Sequence, residues 1–85
     1  MPAKNFTVDT KANKQLKKLP IAIQGKIMTA LRTVQQNPLA GEKLHGELAG
    51  NYKFRVGNYR IVYSLYPEDS LIFVKKIEHR QGVYK

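Results

Sequence analysis

A tight-turn signal constrains the fold of this chain more than any other feature. The stretch YKFRVGNYRIVY, residues 52–63, has Gly57-Asn58 at its centre, a dipeptide of the kind that closes a two-residue β-hairpin. The two flanks are therefore predicted to be antiparallel strands, with Arg55 directly opposite Arg60. Like charges that face each other on a sheet cost roughly 0.2–1 kcal/mol. Sheet stability does not explain this pair, which suggests that the two arginines serve a negatively charged ligand.

The segment before the hairpin predicts a short strand and two helices. The strand covers residues 5–8 and ends at Asp9, a suitable N-cap for a first helix. Pro20 suits the first position of a second helix, which ends before Asn37-Pro38. Apolar residues recur at helical spacing in both. These are Ala12, Leu16, Leu19, Ile23, Ile27, Ala30, Leu31 and Val34.

The second half of the chain predicts an antiparallel meander. Its strands are expected over residues 52–56, 59–66 and 71–78, with a turn at residues 67–69. Two helices followed by such strands indicate an α+β fold in one domain, residues 1–85. We expect an N-terminal helical hairpin packed on one face of a curved antiparallel sheet of three to four strands.

Strand alternation divides the sheet residues between two faces. The face expected to meet the helices carries Tyr52, Phe54, Val56, Tyr59, Ile61, Tyr63, Leu71, Phe73 and Ile77. The opposite face carries Lys53, Arg55 and Arg60, and Arg80 joins them if the last strand continues that far. Guanidinium and ammonium groups clustered in this way bind phosphate, because they match its charge and its oxygen geometry.

The overall charge favours a polyanionic partner. The chain has 15 Lys and Arg against 6 Asp and Glu, a formal net charge of +9 at pH 7. Nucleic acid is favoured over a membrane surface, because no basic segment carries large anchoring aromatic residues. No long apolar run or signal peptide is recognisable, so a cytoplasmic location is expected. There is no cysteine, and His45 and His79 are too few to suggest a zinc site, so no metal or cofactor is predicted.

RNA cleavage is the most specific chemistry that the cationic face suggests. Without a metal, the 2′-hydroxyl attacks the adjacent phosphorus, which requires a base, cations for the phosphorane and an acid for the departing 5′-oxygen. Glu78 and His79 are a nearby pair of the usual type, but alternation places only Glu78 on the cationic face. Tyr84 or Lys53 could act as the base despite its residue type, or Tyr84 could stack on a nucleobase. Arg80 is better suited to stabilising charge on the leaving oxygen than to donating a proton.

Four motifs occur along the chain in this order: KQLKKLP, NP, KLHGELAGNYKFRVGNYRIVY and HRQGVY. They carry a resemblance to the RelE/ParE superfamily of bacterial and archaeal toxins over almost the whole length of the chain. The family fold is a helical hairpin on a curved antiparallel sheet, which agrees with the prediction from the residues. The resemblance to RelE-type members implies a ribosome-dependent endoribonuclease that cuts mRNA in the A site without a metal. It also implies a cognate RelB-like antitoxin as partner, commonly in a toxin–antitoxin heterotetramer.

The resemblance further implies a catalytic set of basic residues and a C-terminal tyrosine. By position this set is Lys53, Arg55, Arg60, Arg80 and Tyr84. Tyr84 or Lys53 would help to remove the 2′-hydroxyl proton. Arg55 and Arg60 would stabilise the phosphorane, and Arg80 would assist the leaving 5′-oxygen.

Additional RNA contacts are implied by the lysine-rich first helix and by the residue before Arg80. The helix resembles the family's ribosomal-RNA-contacting surface, with Lys14, Lys17 and Lys18. His79 departs from the lysine expected in RelE itself, and related members place a histidine in this region as an acid or base. The identity of the general base therefore stays open among Tyr84, Lys53 and His79.

Two alternative functions are considered. A ParE-type toxin would poison DNA gyrase and cut no RNA, although such members generally lack the complete basic-plus-tyrosine set. A non-catalytic RNA- or protein-binding module would tolerate Tyr84→Phe, whereas a nuclease that uses the phenol would not. The opposed arginines add a physical expectation, since replacing either Arg55 or Arg60 with a neutral residue should slightly stabilise the free protein and abolish toxicity.

Overall fold

The computed structural model describes residues 3–44 and 50–79. Within these ranges the chain forms two helices and five strands. In chain order these are β1 (Asn5–Val8), α1 (Thr10–Lys17), α2 (Ile21–Gln36), β2 (Glu42–Lys43), β3 (Asn51–Val56), β4 (Tyr59–Tyr66) and β5 (Leu71–His79). Short 3-10 turns at Pro38–Ala40 and Pro67–Asp69 precede β2 and β5.

The five strands form one mixed sheet in the order β1-β5-β4-β3-β2. The α+β class and the helical hairpin are confirmed, but the expected antiparallel sheet of three to four strands is wrong in two respects. β2 adds a fifth strand and is only two residues long, too short to show any periodicity. β1 pairs with β5 in parallel. Both helices and the other strands lie between these two strands in the chain, which provides the long crossover connection that parallel pairing requires.

Local signals explain where the helices begin. Asp9 is the N-cap of α1, and its carboxylate accepts a hydrogen bond from the backbone N–H of Lys11 at 3.3 Å. Pro20, predicted at the first helical position of α2, occupies its N-cap instead, so the helix begins one residue later, at Ile21. The Gln24 side chain closes the turn between the helices by donating to the Leu19 carbonyl at 2.8 Å. The helices bury Ala12, Leu16, Ile27, Ala30, Leu31 and Val34 against the sheet.

A register shift in the sheet decides which residues of β5 reach this core. Val62 pairs with Lys76 and Tyr63 pairs with Val74, so Lys75 is an extra residue in β5. The side-chain alternation therefore changes at this bulge. Ile72, Val74 and Ile77 are buried in the core. The predicted core positions of Leu71 and Phe73 are wrong, because both precede the bulge and lie on the other face, whereas Ile77 follows it and is placed correctly.

Candidate phosphate-binding site

The predicted hairpin brings two arginines together on the face of the sheet that lies opposite the helices. Gly57 has a φ of 58°, a left-handed value that glycine adopts without steric cost, and residues 51–56 pair with residues 59–64 in the expected register. Arg55 lies directly opposite Arg60, as predicted. Arg55 is exposed and makes no ion pair or side-chain hydrogen bond with the described residues.

Arg60, unlike Arg55, is held by a carboxylate. Its Nε donates a hydrogen bond to Oε1 of Glu78 at 2.8 Å, and the two side chains are 27% and 25% exposed. The sheet register explains this contact, since Arg60 of β4 lies opposite Glu78 of β5. Glu78 therefore shares the cationic face, as strand alternation predicted. The expected stabilisation by a neutral residue no longer applies equally to the two arginines, because replacing Arg60 also breaks this ion pair.

A second row of side chains crosses the sheet beside the arginines. Lys53 lies opposite Val62, which lies opposite Lys76. Val62 is 3% exposed, so the two lysines flank an apolar floor. The Lys53 ammonium is 3.6 Å from Oε2 of Glu42, and the Lys76 ammonium is 3.8 Å from Oε2 of Glu78. This described part of the face thus combines four cations with two carboxylates, and the excess of positive charge favours binding of a phosphate ester.

Lys76 is the residue of this face that sequence reasoning missed. The signal was available, because alternation that puts Glu78 on the cationic face also puts Lys76 there, two residues earlier. Glu42 was not expected at the site either, since no strand was predicted at residues 42–43.

His79 lies apart from the arginines. It pairs with Tyr59, and the two rings pack edge to face with their centroids 4.7 Å apart. His79 is therefore on the other side of β5 from Glu78, as strand alternation predicted. The lysines implied in RNA contacts, Lys14, Lys17 and Lys18, are all exposed on α1 and at its C-terminal end. Arg80 and Tyr84 lie outside the described residues.

A buried tyrosine on the helix-facing side of the sheet supports the edge of the site. The Tyr63 hydroxyl donates to the Pro38 carbonyl at 2.7 Å and accepts from the Gly41 N–H at 3.1 Å. Burial raises the pKa of Tyr63, so the phenol stays neutral. A Cβ on Gly41 would meet this hydroxyl and lie 2.9 Å from the backbone oxygen of Lys53. Glycine at this position therefore allows the close approach that sets β2, with Glu42, beside Lys53.

No helix within residues 3–44 and 50–79 combines the length and the apolar character needed to span a membrane.

Comparison with known proteins shows that the sequence matches a family of toxins. Residues 7–84 match the ParE toxin of the type II toxin–antitoxin system parDE. The RelE1 toxin of Methanocaldococcus jannaschii is 32% identical over 95% of this chain and 94% of its own length. The RelG toxin of Mycobacterium tuberculosis is 32% identical over 89% of this chain and 90% of its own length.

Solved structures agree with this result. The RelBE2 toxin–antitoxin complex of M. tuberculosis contains a chain that superimposes with a TM-score of 0.84 at 31% identity, covering 93% of this chain and 92% of that one. The isolated Escherichia coli RelE toxin gives a TM-score of 0.76 at 28% identity, with coverage of 93% and 88%. The resemblance inferred from the motifs is thus confirmed, and the chain belongs to the RelE/ParE family of toxins of type II toxin–antitoxin systems.

Proposed function

We propose that this toxin is a ribosome-dependent endoribonuclease that cuts mRNA in the A site by attack of a 2′-hydroxyl on the adjacent phosphorus, without a metal. The observation that carries the proposal is the Arg55–Arg60 pair, fixed face to face on a tight hairpin. A phosphate between the two guanidinium groups would relieve their repulsion. The phosphorane bears more negative charge than the diester, so the same groups stabilise the transition state more than the bound substrate.

The other proposed catalytic residues act around this pair. Lys53 makes an ion pair with Glu42, a contact that favours an electrostatic role for the ammonium group. His79 packs against Tyr59 on the other side of β5, which favours Tyr84 over His79 as the base for the 2′-hydroxyl. Arg80 would stabilise the departing 5′-oxygen. The proposed catalytic set is Lys53, Arg55, Arg60, Arg80 and Tyr84.

The proposed partners follow from charge and from the family. A cognate RelB-like antitoxin would bind the toxin, since the solved M. tuberculosis relative is a toxin–antitoxin complex. The two chains would form the heterotetramer that the family resemblance implies, with an acidic segment of the antitoxin on the cationic face. The exposed lysines of α1, Lys14, Lys17 and Lys18, would contact ribosomal RNA. Such a toxin would act in the cytoplasm as a single domain spanning residues 1–85.

Primer extension on a reporter mRNA in a purified translation system tests this function. The wild type should produce cuts at A-site codons that require ribosomes. The Arg80→Ala/Tyr84→Phe double variant should produce none, whereas Arg32→Ala, which removes an exposed cation of α2, should cut like the wild type. The expected cuts would also distinguish the nuclease from a non-catalytic RNA-binding module.

The match of residues 7–84 to the ParE toxin family favours gyrase inhibition as the second candidate function. Intact message from a folded wild-type protein would contradict the nuclease proposal. Inhibition of DNA gyrase supercoiling by that same preparation would then support the ParE-type activity.

A further inference from the structure

A carboxylate in the middle of a phosphate-binding face is unexpected, because it repels the ligand. The bulge between β4 and β5 brings it there. If alternation from Ile72 and Val74 continued through Lys75 without a bulge, Glu78 would point toward the helices and Ile77 away from them. The bulge instead buries Ile77 and sets Glu78 opposite Arg60.

β5 is also anchored next to Glu78. β1 pairs with β5 only as far as Val74, so the following part of β5 has no strand on that side among the described residues. The Gln15 side chain of α1 takes that place at Ile77, accepting a hydrogen bond from its backbone N–H at 3.2 Å. The backbone next to Glu78 is therefore fixed by a helix as well as by β4.

The bond between Glu78 and Arg60 uses only part of the guanidinium. Nε of Arg60 is the donor, at 2.8 Å, and the terminal nitrogens make no other hydrogen bond to the described residues. These terminal groups are the ones that form a fork on a phosphate. The second oxygen of Glu78 faces the Lys76 ammonium at 3.8 Å. One carboxylate thus contacts both cationic side chains, the Arg60 guanidinium through a hydrogen bond and the Lys76 ammonium through a longer ion pair.

We propose that Glu78 is a positioning residue of the phosphate site. It holds the Arg60 guanidinium by Nε, directs the terminal nitrogens at the phosphate, and keeps the Lys76 ammonium on the same face as an additional phosphate contact. The inference rests on the proposed nuclease function and extends it to residues outside the implied catalytic set. Orientation before binding lowers the cost of forming the transition-state complex.

A competing interpretation predicts a different effect of removing Glu78. If Glu78 only reduces the positive charge of the face, its removal should tighten RNA binding without slowing the chemistry. Two variants separate these cases. Glu78→Gln removes the charge but keeps an oxygen that can accept from Nε, whereas Glu78→Ala removes both. Glu68→Ala, on the exposed Pro67–Asp69 turn, is the matched control for loss of one negative charge.

The experiment is single-turnover cleavage on mRNA-programmed ribosomes, with thermal unfolding of each variant as a folding control. We expect Glu78→Ala to lower the maximal rate by about tenfold to a hundredfold, because a small misplacement of a catalytic group has an effect of this order. Glu78→Gln and Glu68→Ala should stay close to the wild-type rate. The proposal is overturned if Glu78→Ala keeps the wild-type maximal rate. It is also overturned if Glu78→Gln falls as far, since charge would then account for the effect.

A second readout does not depend on cleavage. In ¹⁵N-resolved NMR spectra the Arg60 Nε–H signal, assigned by its loss in Arg60→Lys, should exchange with water more slowly than that of Arg55. This protection should persist in Glu78→Gln and disappear in Glu78→Ala. A wild-type protein that cuts no RNA would overturn the proposed function, and the NMR signal would still decide the positioning role. Equally fast exchange at Arg55 and Arg60 would overturn it.

Discussion

The folding stability should respond differently when each of the two opposed arginines receives the same substitution. Arg55→Gln removes a charge that faces Arg60 and has no ion-pair partner among the described residues, so it should relieve a repulsion of roughly 0.2–1 kcal/mol. Arg60→Gln relieves the same repulsion but also loses the 2.8 Å bond to Glu78. Hydrogen bonds to charged groups contribute about 1.5–3 kcal/mol when buried, and partial exposure lowers this toward about 1 kcal/mol. We therefore expect Arg55→Gln to be stabilising, and Arg60→Gln to be neutral or destabilising.

Thermal unfolding followed by circular dichroism measures this difference. For a domain of this size 1 kcal/mol corresponds to about 4–8 °C in Tm, so a gain of about 0.5 kcal/mol raises Tm by about 2–4 °C. The gain should shrink in about 1 M salt, where the Debye length falls to about 3 Å. Both variants should lose RNA cleavage, since each removes a proposed phosphate contact.

A double-mutant cycle makes the reasoning refutable. In the Arg60→Gln background the repulsion is already absent, so adding Arg55→Gln should no longer raise Tm. A Tm decrease for Arg55→Gln alone would contradict the idea that the pair is a stability cost. A gain of the same size in the Arg60→Gln background, or in high salt, would show that its cause lies elsewhere.

Three further predictions concern the support beneath the site. Gly41→Ala should lower the free energy of unfolding by about 1–3 kcal/mol, because the new Cβ overpacks against Tyr63 and the Lys53 backbone; an unchanged urea midpoint would refute the close approach. Tyr63→Phe should cost about 1–3 kcal/mol in the same assay, since the Pro38 carbonyl and the Gly41 N–H lose their buried partner. Burial raises the pKa of Tyr63, so the unfolded chain loses the phenolic proton first and stability falls as pH rises above about 10. The stability advantage of the wild type over Tyr63→Phe should therefore shrink as pH rises above about 10, and a constant difference would contradict this.

Local patterns predicted the parts of the fold that depend on local physics. The Gly57-Asn58 turn, the register of Arg55 and Arg60, and the N-cap at Asp9 each depend on residues close in sequence. The errors have a long-range origin. A two-residue strand has no period, the parallel partner of β1 lies far along the chain, and the bulge at Lys75 depends on how β5 packs against β4.

The bulge also explains why the prediction for β5 was half correct. Strict alternation through this strand can match the core either before the bulge or after it, but not on both sides. Counting from Ile77 places Glu78 correctly and misplaces Leu71 and Phe73. The side-chain contacts of Glu42 and Glu78 were not predicted, because they follow from strand pairing that the sequence does not show.

Two departures from ordinary sheet design meet in one row of side chains. Arg55 faces a like charge, and Glu78 places a carboxylate among the cations of the candidate phosphate-binding site. Each alone weakens either the free protein or its affinity for an anion. Together they leave Arg55 without an ion-pair partner among the described residues and Arg60 held by Glu78. In the proposed site, the Arg55 guanidinium would move onto the ligand while Arg60 already presents its terminal nitrogens. This division of roles accounts for both departures at once, and it is the reason that the two arginines should differ in stability assays while both should be required for the proposed cleavage.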